Sequence, residues 1–322
     1  MSTLSPTAKR SQQRTREMVQ RSLESGGVKL GPFLFQAFLV LMLLISLGIL
    51  VVLLGDILIK AWPTFAERGL GFVTSGLSLS PETAGVSTAI VGSVIIAAIV
   101  AVLAFPIGVA AAIYLEEYAA DNATTRWIDT TVRNLAGVPS IVYGLLGLAI
   151  FVSIVNGIGL GGSTGGKNVI AAGITMAVLV LPIVIITAAE ALRAVPNSIR
   201  EAGFGVGATR WEVIRSHVLP AAAPGILTGT VLTLARAFGE TAPLLVIGVA
   251  TGYFSPAANA SAIDQLTGAY TALPVVVFSW TRQTQAEFLE TLAPAAIVVL
   301  LLVLLGLNAA AVLLRNKYEQ RW

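Results

Sequence analysis

Arg236 and Glu240 sit four residues apart in TLARAFGETAPLL, residues 233–245, between flanks that are among the most apolar in the chain. Helical spacing puts both on one face, together with Gly239 and Pro243. A guanidinium offers a planar fork of donors that suits the oxygens of an oxyanion. A carboxylate one turn away can orient that fork, offset its charge and repel the anion onward, and a conducting site must hold its ion weakly enough to release it. This is the chemistry of transit, with no bond made or broken. The other reading is a buried salt bridge that fixes the orientation of the helix, a role buried pairs can have. Arg before Glu is the less favourable order along an isolated helix, which weakens a purely local stabilising role.

The elements that must position this pair span a membrane. The 322 residues are 56% hydrophobic and 11% charged. Crossing ~30 Å of hydrocarbon takes about 20 apolar residues, and such runs occur at Phe33 to Ile59, Ala89 to Leu115, Leu135 to Val155, Val169 to Ala189, Ala221 to Ala250 and Thr291 to Leu314. The first is too long for a signal-peptide core and has no small-residue cleavage site after it, so it reads as a retained anchor. With no cysteine and the single His217, disulfides, thiolate metal sites and histidine clusters are excluded. Of the 20 Lys and Arg, 15 fall in alternate connecting segments and the two ends, which places both termini in the cytoplasm. The basic residues at 9–29 read as an orientation signal beside anionic lipid; they lack the interleaved aromatics of a nucleic-acid site.

A fifth helix starting near Ala223 would carry Arg236 ~20 Å in, close to or past the midplane. A lone arginine there costs about 2.5 to 3.5 kcal/mol, so it must face protein or water. Pro243 cannot donate to the carbonyl of Gly239, which weakens the helix beside the pair, while Leu234, Phe238 and Leu245 fall on a packing face. Pro106 and Pro182 should kink the second and fourth helices. GGSTGGKN, residues 161–168, nearly matches a phosphate-cradling loop but has Asn168 where a magnesium-binding hydroxyl is required, and it follows a membrane span rather than a strand. A turn on the outer side is the better reading. Residues 60–84 and 251–290 are expected to be irregular or short helical surface structure on that same side.

The connector at 190–220, EALRAVPNSIREAGFGVGATRWEVIRSHVLP, is too patterned for a plain loop. Ser198 with Glu201 suggests a capping box for a short helix that ends at Gly205 to Gly207. A second helix is expected after Thr209, presenting Trp211, Val213, Ile214 and Val218 and stopping before Pro220. An amphipathic connector lying on the bilayer is one reading. A docking element for a cytoplasmic partner is the other.

On these residues the chain resembles the permeases of type I ABC importers. Their coupling pattern is Glu-Ala-Ala, three residues, Gly, nine residues, Ile, one residue, Leu-Pro. Glu201, Ala202, Gly207, Leu219 and Pro220 match it, Gly203 replaces the second Ala, and His217 stands at the Ile place. FPIGVAAAIYLEEYA at 105–119, NLAGVPSIVYGLLGLAIFV at 134–152, RAFGETAPLL at 236–245 and LPVVVFSWTRQTQAEF at 273–288 narrow the resemblance to phosphate importer permeases of the PstA type, over about residues 82–322. The resemblance implies an all-α membrane fold of six helices, with a cytoplasmic tail at 1–32, a first helix and outer segment at 33–84, a permease core at 85–314 and a cytoplasmic end at 315–322. It also implies a sister permease of the PstC type, a separate ATPase dimer of the PstB type that holds ATP and magnesium, and a phosphate-binding protein of the PstS type outside. Glu201, Ala202, Gly203, Gly207, Trp211, His217, Leu219 and Pro220 are then the contacts to the ATPase, and no cofactor or metal belongs to this chain. Permeases for sulfate or molybdate, the sister subunit, a carrier or channel acting alone, and a non-transporting scaffold are the alternatives.

Overall fold

The computed structural model describes residues 30–249 and 262–318. The basic tail at 1–29, residues 250–261 of the outer segment and the chain end at 319–322 lie outside the described residues. Six described helical stretches are long and apolar enough to cross a membrane. The chain divides into two units, Met1–Asp56 and Ile57–Trp322.

In the first unit, the described part is the beginning of α1 (Leu30–Arg68), whose side chains from Phe33 to Leu53 are almost all exposed apolar groups. Such a surface is stable only in contact with lipid or with other apolar protein surface. In the second unit α1 continues to Arg68 through Pro63, past the end expected at Ile59. The reason is packing. Ala61 and Thr64 are buried, Phe65 meets Phe72 edge-on at 5.8 Å, and Arg68 caps the following turns by donating to the carbonyls of Pro81 (3.1 Å) and Ala84 (2.6 Å). After α2 (Gly71–Thr74), α3 (Ser87–Ile113) forms the second span and runs into a wide π turn at Tyr114–Tyr118.

The third span starts later than its hydropathy suggests. Leu135 belongs to a separate helix, α4 (Ala123–Ala136), capped by the Asn122 side chain, and the chain breaks at Gly137–Pro139. Val138 precedes a proline, which disfavours the helical region there, and the span itself is α5 (Ser140–Leu146), a π turn, α6 (Val152–Val155) and another π turn ending at Leu160. GGSTGGKN folds as the expected turn. Asn168 is fully buried, receives the Ala171 N–H to cap the next helix, and donates to the carbonyl of Leu160.

That next helix, α7 (Val169–Arg193), is the most buried span, with 61% of its apolar window enclosed. α3 lies along it at a separation that only glycine permits. A Cβ on Gly108 would come 2.6 Å from Val184 Cγ1, and one on Gly173 would come 2.6 Å from Ile99 Cγ2. Close backbone approach of this kind is how helices associate where no hydrophobic drive separates protein from lipid. Beyond α7 come α8 (Asn197–Gly205), α9 (Arg210–Val213) and α10 (Leu219–Gly239); α10 packs back on α7 where Gly225 faces Ala191 and Gly229 faces Thr187.

α11 (Ala242–Ile247) leads to the outer segment, whose described part is α12 (Ala262–Thr267) and α13 (Leu273–Trp280). α13 is not surface structure as expected. Leu273 to Val276 are buried, the Leu273 N–H donates to Ser93 Oγ on α3 at 2.8 Å, and Trp280 packs between Phe72 and Phe288 with its ring tilted to both. Its apolar sequence is too rich to be left in water. A π turn at Phe288–Leu292 opens the last span, α14 (Ala293–Tyr318).

Gly108→Ala should therefore lower the midpoint of thermal unfolding in detergent, by an overpacking cost of about 1–3 kcal/mol. Gly306→Ala, in a helix interior where an added Cβ meets nothing within 4 Å, should not lower it.

Candidate functional site

The fifth span is helical without interruption from Arg210 to Gly239. Thr209 starts it with a complete capping box: its Oγ1 receives the Glu212 N–H at 3.4 Å, and Glu212 Oε2 receives the Thr209 N–H at 2.7 Å. The capping box expected at Ser198 is absent. α8 begins at Asn197 after Pro196, with no side-chain cap, because proline already fixes the entry backbone. Nor does Pro220 end the second short helix. The preceding π turn (Ile214–Val218) lets the Leu219 N–H donate to Ile214 O, five residues back, and this wider turn accommodates the proline at the start of α10.

At the other end the helix stops beside the charged pair. Glu240 is extended (φ −78°, ψ 121°), Thr241 lies outside both helices as the N-cap of the next, and α11 restarts with Pro243 in its first turn. Pro243, with no N–H to give, converts the expected weakening into a full break. The four candidates thus do not form one stripe. Arg236 is in the last turn of α10 with its side chain 60% exposed, Glu240 is 19% exposed, and Arg236 Nε lies 3.7 Å from Glu240 Oε1. That is an ion pair too long for a hydrogen bond. Gly239 is exposed beside it. Pro243 is buried instead against α5, where a Cβ on Gly144 would come 2.7 Å from its Cα. Phe238 is buried and Leu234 and Leu245 are partly so, packed in the core as their face predicts.

In the connector, Glu201, Ala202, Gly207, Trp211 and His217 are exposed, while Leu219 and Pro220 are half-buried. Val213, Ile214 and Val218 are buried in the hairpin and are not presented outward; the exposed apolar surface consists of Trp211, Phe204 and Val206. Gly207 has φ +85°, the left-handed region that glycine alone enters cheaply. Gly203 is a matter of space: it is buried, and a Cβ there would lie 2.6 Å from Val213 Cγ2. The departure from Glu-Ala-Ala is a fit to the valine that faces it.

Glu116, Glu117, Arg193 and Arg200, none of which stands out by motif or spacing, meet at the base of this hairpin. The available signal was two consecutive acids at the end of the second span and two arginines seven residues apart after the fourth.

Residues 104–321 match the family described as the binding-protein-dependent transport system inner membrane component. The chain belongs to this family. As an inner membrane component it is a multi-pass membrane protein, and the six-helix all-α fold expected from its sequence is the one found. It is 33% identical over 287 residues to the phosphate transport system permease protein PstA 1 of Mycobacterium tuberculosis (strain CDC 1551 / Oshkosh), covering 88% of this chain and 86% of that one. It is 36% identical over 236 residues to PstA of Yersinia pestis, covering 72% and 73%, and 32% identical over 268 residues to PstC of Mesorhizobium japonicum, covering 71% and 81%. Among solved structures, the inward-facing MetNI methionine ABC transporter shares the fold, with a TM-score of 0.51, 18% identity, and coverage of 73% of this chain and 97% of that one.

Gly203→Ala should destabilise this inner membrane component by about 1–3 kcal/mol through overpacking. Val213→Ala in the same chain should recover the loss, as thermal unfolding of the two variants would show.

Proposed function

We infer that this chain is one half of the transmembrane pathway of an ATP-driven importer of inorganic phosphate. The observation that carries the reading is the placement of Arg236: a half-exposed arginine at a helix break in a membrane span, continuous through α10 and α9 with the patterned connector. Its relatives named phosphate transport system permeases supply the substrate class. Arg236 presents donors to the phosphate oxygens, and Glu240, near enough to bias the guanidinium but too far to occupy its donors, keeps the site weak. The side of Arg236 that is open here faces the second permease, of the PstC type, which completes the pathway.

The connector is the docking element for the ATPase, of the PstB type, which holds ATP and magnesium. Phe204, Val206 and Trp211 supply the apolar contact, Gly207 sets the turn, and Glu201, Ala202 and His217 edge the same surface. Gly203, Leu219 and Pro220 support it from inside. Selectivity resides in the phosphate-binding protein, of the PstS type, and this chain does no chemistry on its cargo.

Arg236→Ala should cut phosphate uptake about 10- to 100-fold at normal assembly, the worth of a charge-assisted hydrogen bond; undiminished uptake in cells would remove Arg236 from the pathway. Glu201→Arg or Gly207→Trp should abolish co-purification with the ATPase. ATP hydrolysis by the reconstituted complex should rise with phosphate-loaded binding protein, and stimulation by sulfate instead would overturn the substrate.

A further inference from the structure

The second span ends in two consecutive carboxylates, and each meets a different arginine. Arg193, in the last turn of α7, forks onto Glu116 with Nε to Oε2 at 2.8 Å and Nη2 to Oε1 at 2.5 Å. Arg200, on α8, forks onto Glu117 with Nη2 to Oε1 at 2.6 Å and Nε to Oε1 at 3.1 Å. The two pairs differ in environment. The Arg193 side chain is 47% exposed, whereas the Arg200 and Glu117 side chains are 18% and 7% exposed.

Arg200 does more than pair. Its Nη2 also donates to Leu192 O at 3.0 Å, and its Nη1 donates to Val195 O at 2.8 Å and Asn197 Oδ1 at 3.4 Å. A guanidinium has five N–H groups, and all five are engaged. One planar group thereby ties three parts together: the Glu117 side chain in the π turn after α3, the carbonyls of Leu192 and Val195 at and just beyond the C-terminal end of α7, and the first helix of the docking connector, which carries Arg200 itself. Apolar residues would hold these helices together equally well, but they would not fix rotation and register as directional hydrogen bonds do. A polar cavity of about 290 Å³ opens beside the four charged groups, bordered by Phe204 and Arg210, so the joint adjoins the exposed apolar surface of the connector. Arg210 in turn lies over the Tyr118 ring at 5.2 Å, adding a further tie to the same π turn.

We propose that Arg200 and Glu117 are positioning residues for energy coupling, forming the joint that carries movement of the docking connector into α3 and α7, with Glu116–Arg193 as its weaker outer part. This rests on the reading of the chain as an ATPase-driven permease. Neither residue touches phosphate or nucleotide; they act by making the connector and the α3–α7 pair move as one body.

The test uses the full complex, with its ATPase, in liposomes with phosphate-loaded binding protein, and measures phosphate moved per ATP hydrolysed. Glu117→Gln and Arg200→Lys should assemble, continue to hydrolyse ATP, and lose about tenfold in that ratio, within the range of measured coupling between sites. Arg200→Lys keeps the charge but cannot reproduce the five-donor fork, so it carries the test if Glu117→Gln does not assemble. Asp121→Asn, which removes a solvated pair with Arg126 at 2.6 Å, should keep the wild-type ratio. Assembled Glu117 or Arg200 variants with a wild-type ratio would overturn the joint while leaving the functional reading intact. A wild-type complex whose ATPase ignores loaded binding protein would overturn the functional reading, and the joint with it.

Discussion

Everything in the larger unit is hung on the closeness of α3 and α7. Gly108 under Val184 and Gly173 under Ile99 bring the two backbones nearer than any residue with a side chain would permit. In lipid, where tails are as apolar as leucine, this gain in van der Waals contact is what favours one helix pair over another. The third and fifth spans then use the same device to attach to α7. Gly147 receives Thr175, and Gly225 and Gly229 receive Ala191 and Thr187. On the far end of α3, Gly92 lies directly under the Thr271 carbonyl, and the neighbouring Ser93 takes the Leu273 amide. The outer segment is therefore fastened by the helix that also carries Glu116 and Glu117 at its opposite end.

Ionisable groups follow a related division of labour. At the base of the connector, charges are paired at short distance and backed by backbone carbonyls, as burial demands. At the break after Gly239 the ion pair is long and its arginine largely open. The first arrangement gives rigidity; the second leaves donor capacity unused, as the proposed passage of an anion would require.

How much of this could be read beforehand depended on the range of the interactions. The six spans were legible because hydrocarbon demands about 20 apolar residues whatever their neighbours are, and Thr209 announced the second short helix because a cap is a local motif. Helix ends set by tertiary contacts were not. Arg68 prolongs α1 by reaching Ala84, and Trp280 draws α13 inward between two phenylalanines. Pro220 does not end its helix because a π turn, invisible in composition, accommodates it. At the site, Arg236 and Glu240 stood out as charges in an apolar run, but Pro243 left their face once the helix broke. Glu116 and Glu117 find their arginines 77 and 83 residues away, a pairing that no spacing rule can anticipate.

The unbroken path from Arg210 to Gly239 has a mechanical consequence. Thirty residues form one rod with the connector at one end and Arg236 near the other. At 1.5 Å per residue those two points lie ~39 Å apart, so a tilt of about 5° at the near end displaces the far end by ~3 Å, roughly the length of a hydrogen bond. The fifth span is thus a lever whose gain is set by its length, and a small angular change at the connector is large enough to make or break a contact at Arg236.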